Sequence, residues 1–484
     1  PFADGQATVA RNMFAQETED GNAFLTGDIY ALKIGANYAS FALQCGHLYG
    51  DAGLRAQAKH YTDGFRKFGN GVAQVNVTEF LILSSDNNNA AKNRYDGFPT
   101  VAETAYPFGT VTVRNRFDRR PAIAYMKIGE RSMANHDHAD HGTFQLYYKG
   151  LLTGDGGLYS GYGSDQHYFF HRATVAHNGL LIYNPALAEI EPVYNEWKQI
   201  VNREGLFYSG GERYVPESTF LGPWMSEQYD FAKVIGKGAG YYADGGAEFA
   251  YLAGDITNAY PAGTADLVKR QMLTVFTKDD GVPMLFLTCD KVVAKDKDFK
   301  KTYLLQAPFE PKIVGNTVKI DNGNANLTLH ILSDDCEVSA IGGKGRTFYL
   351  PECGRTLLPP NGAEPREWGR VLVQPKTASA ENDFLMAYVV ADNGAQEVPV
   401  PERLIGEHCT GVRIGKYLAV FADGDDVSFE ISHGAADGYL AGLASGRYEV
   451  RRDGGLVGTY ALTGERGVLK FRTTDGKITV RKLD

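Results

Sequence analysis

The chain reads as mainly β: a large antiparallel β-sandwich with a short N-terminal helical segment before it and a small β-sandwich after it. Three observations predict this. Apolar residues recur at helical spacing only within about the first hundred positions; from about Tyr106 the apolar period is two, between glycine-rich turns. No segment of roughly 20–50 residues repeats, which excludes solenoids and propellers.

Ile34, Tyr38, Phe41, Cys45 and Leu48 recur at spacings of four and three, and Leu54, Ala58, Tyr61, Phe65 and Phe68 resume the pattern after Tyr49-Gly50-Asp51. This predicts a helical hairpin as the first structure in the chain. Gly50 is placed to cap the first helix and Asp51 to start the second, with Gly69-Asn70-Gly71 ending it. A third short helix is expected over residues 77–83. Period-two stretches then predict strands over residues 110–114, 122–128, 143–148 and 180–183, and over ten further stretches from 249–253 to 468–472. The polar tract DNGAQEVPVP over residues 392–401 follows a strongly apolar strand. The expected division is therefore 1–104, helical; 105–392, the central sandwich carrying the site; and 393–484, a C-terminal sandwich.

A length of 484 residues with 43% hydrophobic content exceeds what one compact core usually holds. The net charge of -9 arises from 49 basic and 58 acidic side chains mixed along the chain, so nucleic acid and membrane surfaces are not expected partners. No run of about 18 apolar residues suggests a membrane span, and the opening PFADGQ does not read as a leader. The five cysteines are scattered without CxxC spacing, which argues against a thiolate zinc site or a disulfide framework; a Cys336–Cys353 pair stays open.

Six of the eleven histidines, His136, His138, His141, His167, His171 and His177, fall within 42 residues. Imidazole nitrogens and a carboxylate are what a zinc-like ion takes, with spare bases for proton transfer. His138, Asp155 and His177 are 17 and 22 residues apart, one or two hairpin crossings. A hairpin of residues 144–148 and 151–154, turning at Lys149-Gly150, would return Asp155 toward His138. Two histidines and a carboxylate leave a fourth position open. Asp155 also reads as a turn residue within Gly154-Asp155-Gly156-Gly157, and His141 and His167 as hydrogen-bonded core imidazoles.

Four motifs, Asn135 to His138 (NHDH), Tyr147 to Gly150 (YYKG), Gly154 to Tyr159 (GDGGLY) and Arg172 to Asn178 (RATVAHN, expected as a strand), resemble those of the heparinase II/III family of polysaccharide lyases, nearest its heparinase II branch. MKIGE before them and QPKTASAENDFL after them extend the resemblance through nearly the whole chain. It implies an α/α toroid followed by β-sandwich layers, β-elimination beside a uronic acid, and a periplasmic or secreted location. It also implies that Asn135 neutralises the uronate carboxylate and that His136 transfers a proton. His138, Asp155 and His177 would hold a structural zinc. On an extended strand, His136 and His138 would share one face, one residue toward the cleft and the other toward the metal. Tyr162 is a further catalytic candidate, and Arg172, Tyr159 and Arg116 are candidates for gripping the substrate.

The chain departs from the family in its first hundred residues, which hold only the end of a toroid. None of Tyr30, Tyr38, Tyr49 and Tyr61 matches the family's catalytic tyrosine. Either the chain is a C-terminal fragment, or the toroid is a separate polypeptide, or the molecule has lost catalysis; a homodimer is a further possible partner, and the chain alone is expected to give little lyase activity. The substrate is read as heparin-like or alginate-like polysaccharide. A non-catalytic glycan-binding or scaffold protein with a structural metal is the alternative, and a metal-dependent hydrolase a third reading.

Overall fold

The structure, a computed structural model, describes residues 5–19, 21–22, 24, 26–27, 34–65, 93–117, 120–132, 136–159, 162–190, 205, 207–213, 226–463 and 466–483. Three helices come first, α1 (Gly5–Ala15), α2 (Ile34–Leu48) and α3 (Ala52–Phe65). The first corrects the expectation that the hairpin opens the chain: α1 buries mostly alanines, so its apolar stripe is faint in the sequence. Gly50 takes the positive φ of a helix C-terminus, and Asp51 accepts the Leu54 N–H at 3.0 Å as the N-cap of α3. The same carboxylate accepts Arg11 Nε at 2.7 Å, which ties α1 to the hairpin. The Gly69-Asn70-Gly71 stop and the helix expected over 77–83 lie outside the described residues.

The first sheet is antiparallel, in the order β1 (Val101–Thr104), β2 (Thr110–Arg114), β3 (Ala122–Lys127), β4 (Phe144–Tyr148) and β5 (Leu151–Thr153). Its period of two sorts side chains by face. Ala122, Ala124 and Met126 enter the main core, while Ile123, Tyr125 and Tyr147 pack under Phe24 from the helical end of the chain. Arg114 of β2 is buried and donates Nη2 to the carbonyls of Ala15 and Glu17 at 2.6 and 2.5 Å, fixing the exit of α1 onto the sheet.

Five more strands complete the frame of the site: β6 (Leu180–Tyr183), β7 (Lys233–Tyr241), β8 (Ala247–Asp255), β9 (Ala265–Phe276) and β10 (Met284–Ala294). A sixth, β11 (Lys300–Ala307), pairs with β6 in a four-stranded sheet that also holds Gly369–Pro375 and Cys336–Gly342. Strands β7 to β10 join Glu381–Asp392 and three shorter strands in an eight-stranded antiparallel sheet. Both faces of that sheet are covered. Along β10, Met284 and Phe286 enter the core shared with the first sheet, whereas Leu285 and Leu287 pack against Val412, Phe421 and Tyr439 from the strands after Pro401. Burial on both sides explains why this stretch is a continuous apolar run rather than an alternating one. The last strands form a five-stranded and a four-stranded sheet around their own core of Leu418, Phe429, Leu440, Tyr448 and Ile478. Their one departure from antiparallel pairing is Tyr417–Ala422 beside Ala436–Leu443.

Mainly antiparallel β structure with a short helical start is therefore the observed class. Among the described residues no helix is long and apolar enough to cross a membrane, and all five cysteines are free, Cys336 and Cys353 included.

Candidate functional site

Three segments in two connections, β3 to β4 and β5 to β6, form the histidine cluster and its carboxylate. The one between β3 and β4 contains His136, His138 and His141, and its described residues form no strand, so the expected extended arrangement of His136 and His138 is corrected. His136 instead has φ +62 and is exposed, and His138 two residues later is buried. A turn, and not one shared strand face, leaves His136 exposed and His138 buried. Lys127 at the end of β3 holds the connection by pairing with Asp140 at 2.6 Å and Asp137 at 3.5 Å.

After β5 the chain enters Gly154-Asp155-Gly156-Gly157, where Gly156 N–H donates to the Ala176 carbonyl at 2.7 Å. The third segment contains a π-helical turn, His167–His171, and a 3-10 turn, Thr174–Ala176, immediately before His177. This corrects the strand expected over Arg172 to Asn178; single π turns recur at functional sites because they re-aim side chains. Ala139 N–H donates to the Arg172 carbonyl at 2.8 Å and Arg172 Nε donates to the Asp137 carbonyl at 3.0 Å, a reciprocal clasp between the first and third segments. Asn178 then knits the strands beneath, donating Nδ2 to the Phe144 carbonyl and accepting the Gln306 N–H, both at 2.7 Å.

These ties bring the three expected ligands together. His138 Nδ1 is 3.2 Å from His177 Nε2, and His177 Nδ1 is 3.1 Å from Asp155 Oδ1. One ligand atom from each residue lies within 4.8 Å of the other two. The side chains are buried, and neither Asp155 oxygen accepts a hydrogen bond, the His177 contact being misaligned for one. Ligands held at about 2.0–2.1 Å by one zinc ion stand roughly 3.3 Å apart, so closing the group onto an ion takes shifts on the order of 1 Å. Burial pushes the His177 imidazolium down, but the Asp155 charge outweighs it and raises the His177 pKa above its ordinary value.

Aromatic rings line the outer side. His171 lies 4.7 Å from the His138 ring, edge to face, and Tyr159 stands over His167 at 5.3 Å. Tyr162, 39% exposed, sits between His167 at 5.1 Å and the exposed His136 at 6.0 Å. A cavity of about 120 Å³ opens beside Asp155, Gly157, Tyr159 and His171, closed by Gly27 and Glu367.

No protein-family model matches the sequence, and no curated protein does. Among solved structures, heparinase III aligns over 87% of this chain and 54% of its own, at 13% identity and a TM-score of 0.50. The fold is heparinase-like. A heparan sulfate lyase, HepC from Pedobacter heparinus, aligns over 84% of this chain and 60% of its own, at 14% identity and a TM-score of 0.45. The heparinase-like chain thus spans about half the length of the heparinase III it matches.

Within this heparinase-like frame the remaining candidates separate. Arg172 is 2% exposed, with Nε donating to the Asp137 carbonyl and the guanidinium lying over the Tyr168 ring at 5.7 Å, so it braces the connection from inside. Arg116 pairs with Asp280 at 2.7 Å at the far end of the first sheet from Lys127 and does not join the group. His141 is a buried imidazole paired with Glu212 at 2.5 Å and stacked on Phe231. Asn135 lies outside the described residues. Sequence reasoning missed Gln306, on β11, and Glu367, just before strand Gly369–Pro375, which reach the site from more than a hundred residues away and carry no motif. It also missed Gly27, where a Cβ would stand 2.3 Å from the His136 carbonyl oxygen.

Proposed function

We propose that this chain is the β-rich part of a polysaccharide lyase that cleaves a uronate-containing acidic polysaccharide, heparin-like or alginate-like, by β-elimination. The observation that carries this reading is the convergence of His138, Asp155 and His177 directly behind the exposed His136, in a heparinase-like fold.

The donor set suits a zinc ion. Two imidazoles and a carboxylate are ordinary zinc ligands, and the buried Asp155 charge calls for a cation beside it, which the ion would supply with His177 neutral. When bound, the ion supplies a cross-link between the β3–β4 connection, through His138, and the β5–β6 connection, through Asp155 and His177. The chemistry falls to side chains outside it. His136 takes the proton from carbon 5 of the uronate, the electron pair forms the carbon 4–carbon 5 double bond, and the bond from carbon 4 to the glycosidic oxygen breaks. That oxygen leaves with a proton, for which the Tyr162 phenol, beside His136, is the donor within this chain. Asn135 next to His136 would bind the uronate carboxylate, lowering the cost of the developing negative charge. Tyr159 offers an aromatic wall against a sugar ring.

A panel of acidic glycans, followed at the absorbance of unsaturated uronate products, tests the reading. The complete protein is expected to generate that absorbance on at least one uronate polymer, and H136A to slow its appearance by roughly 10²–10⁴-fold while keeping the metal. Hydrolysed products without the unsaturated ring would instead favour a metal-dependent hydrolase. Glycan binding unaffected by H136A, with no cleavage, would favour a scaffold or binding module.

A further inference from the structure

The Asp155 carboxylate faces His177 at 3.1 Å, and the backbone of its turn fixes where that carboxylate stands. Two backbone donors anchor that turn. Gly156 N–H reaches the Ala176 carbonyl at 2.7 Å, and Gly157 N–H reaches Glu367 Oε1 at 2.6 Å, a contact across 210 residues of sequence. Gly157 has φ +87, and a Cβ there would stand 2.7 Å from His171 Nδ1. The turn is therefore wedged between the His171 ring on one side and the Glu367 carboxyl on the other.

Glu367 is itself held on rigid backbone. Trp368, the next residue, donates its N–H to the carbonyls of Ala307 and Pro308 at the end of β11 and accepts Gly343 N–H at 2.7 Å. Strand Gly369–Pro375 begins immediately after it. On the other flank Gln306 of β11 donates Nε2 to the carbonyls of Val175 and His177, each at 3.0 Å. Two of the three expected ligands are thus steadied from one sheet corner, Asp155 through Glu367 and His177 through Gln306.

We infer that Glu367 is a positioning residue for the His138–Asp155–His177 centre: its carboxyl oxygen clamps the Gly154–Gly157 turn and so sets the affinity of the site for a divalent cation. This rests on reading that group as a metal centre. Glu367 is not one of the three grouped ligands, so its effect passes through the Gly157 N–H. Groups that orient metal ligands typically change affinity by roughly 10–100-fold when removed. The requirement is an acceptor oxygen, not a charge, so glutamine should replace glutamate.

The test uses the full chain, stripped of metal and titrated with zinc against a chelating dye. Wild type and E367Q should bind one equivalent with affinities within about threefold, while E367A and the similarly long E367M should bind about 10–100-fold more weakly. Thermal melts of the metal-free proteins check that each variant folds, and because E367M fills the space, one of the two acceptor-free variants is available for comparison. Equal zinc affinity in wild type and a folded acceptor-free variant overturns the clamp while leaving the metal centre standing. Failure of E367Q to retain affinity also overturns it. No zinc binding by wild type, with H177A indistinguishable from it, removes the metal reading and the clamp together.

Discussion

Asp155 and His177, 22 residues apart in sequence, face each other at 3.1 Å in the interior, carboxylate to imidazole, without the alignment of a hydrogen bond. On the metal reading proposed above, an ion shared with His138 would account for that arrangement, because ligands of one cation approach closely without pointing at one another. Zinc should then stabilise the folded chain by mass action, about 2.7 kcal/mol at a free concentration a hundred times the dissociation constant. The expected outcome is a zinc-dependent rise in Tm that chelator reverses, present in wild type and absent in D155A and H177A. A wild-type Tm indifferent to zinc and chelator would count against the centre.

His136 is exposed while His138 is buried, so the two substitutions should behave oppositely. H136A is expected to change stability by no more than about 0.5 kcal/mol. In the complete protein it should lower turnover by roughly 10²–10⁴-fold, the usual worth of a positioned proton-transfer group. H138A should abolish metal binding and destabilise the chain. Urea unfolding and zinc content, measured on both variants, check the contrast.

Burial pushes the Glu367 carboxyl up to about 7 from 4.5, against the pull of the Gly157 N–H. Between those two values the folded chain holds a proton that the unfolded chain has released. Stability from this group therefore falls as pH rises through that window. E367Q, which carries no proton to lose, should gain stability relative to wild type on going from pH 4.5 to about 7. Parallel denaturation curves of the two proteins across that range would remove the assignment.

Arg270 links the eight-stranded sheet to the site. Its guanidinium is buried against Asp290 at 2.9 and 2.7 Å and donates to the carbonyls of Gly142 and Asn178, both at 2.7 Å. Removing one partner strands a buried charge, so R270A should cost about 3–5 kcal/mol in urea unfolding. Because Asn178 follows His177, the variant should also weaken zinc binding.

Gly27 has φ +67, and any Cβ there would lie 2.3 Å from the His136 carbonyl oxygen. G27A is expected to displace the His136 turn. Loss of turnover in the complete protein, with zinc affinity kept within a few-fold, is the outcome that a local displacement requires.

Local pattern was enough for much of this molecule. Residues 110–114 and 180–183, expected as strands, are the bounds of β2 and β6; both are buried almost throughout, and short runs of β-branched and apolar residues suit such strands. The Gly50-Asp51 helix boundary is legible for a similar reason, since caps depend on one or two residues. The spacing of His138, Asp155 and His177 was likewise enough to nominate a ligand set. Strand β7, KVIGKGAGY, escaped because three glycines interrupt its pattern. Two are needed where other parts of the chain arrive: a Cβ at Gly240 would meet the Phe249 ring and one at Gly236 the Arg466 carbonyl.

Convergence was decided elsewhere. Which histidines meet Asp155, and which one pairs with Glu212 instead, depends on sheet pairings and on Gln306 and Glu367, contacts between residues far apart along the chain. Arg172 bears the same lesson: its residue type suggested a grip on substrate, and its burial makes it a brace. Sequence determines what each short stretch prefers, since backbone propensity and side-chain alternation act over a few residues. Only the packed sheets bring distant stretches to hydrogen-bond distance, and the distances at this site are set there.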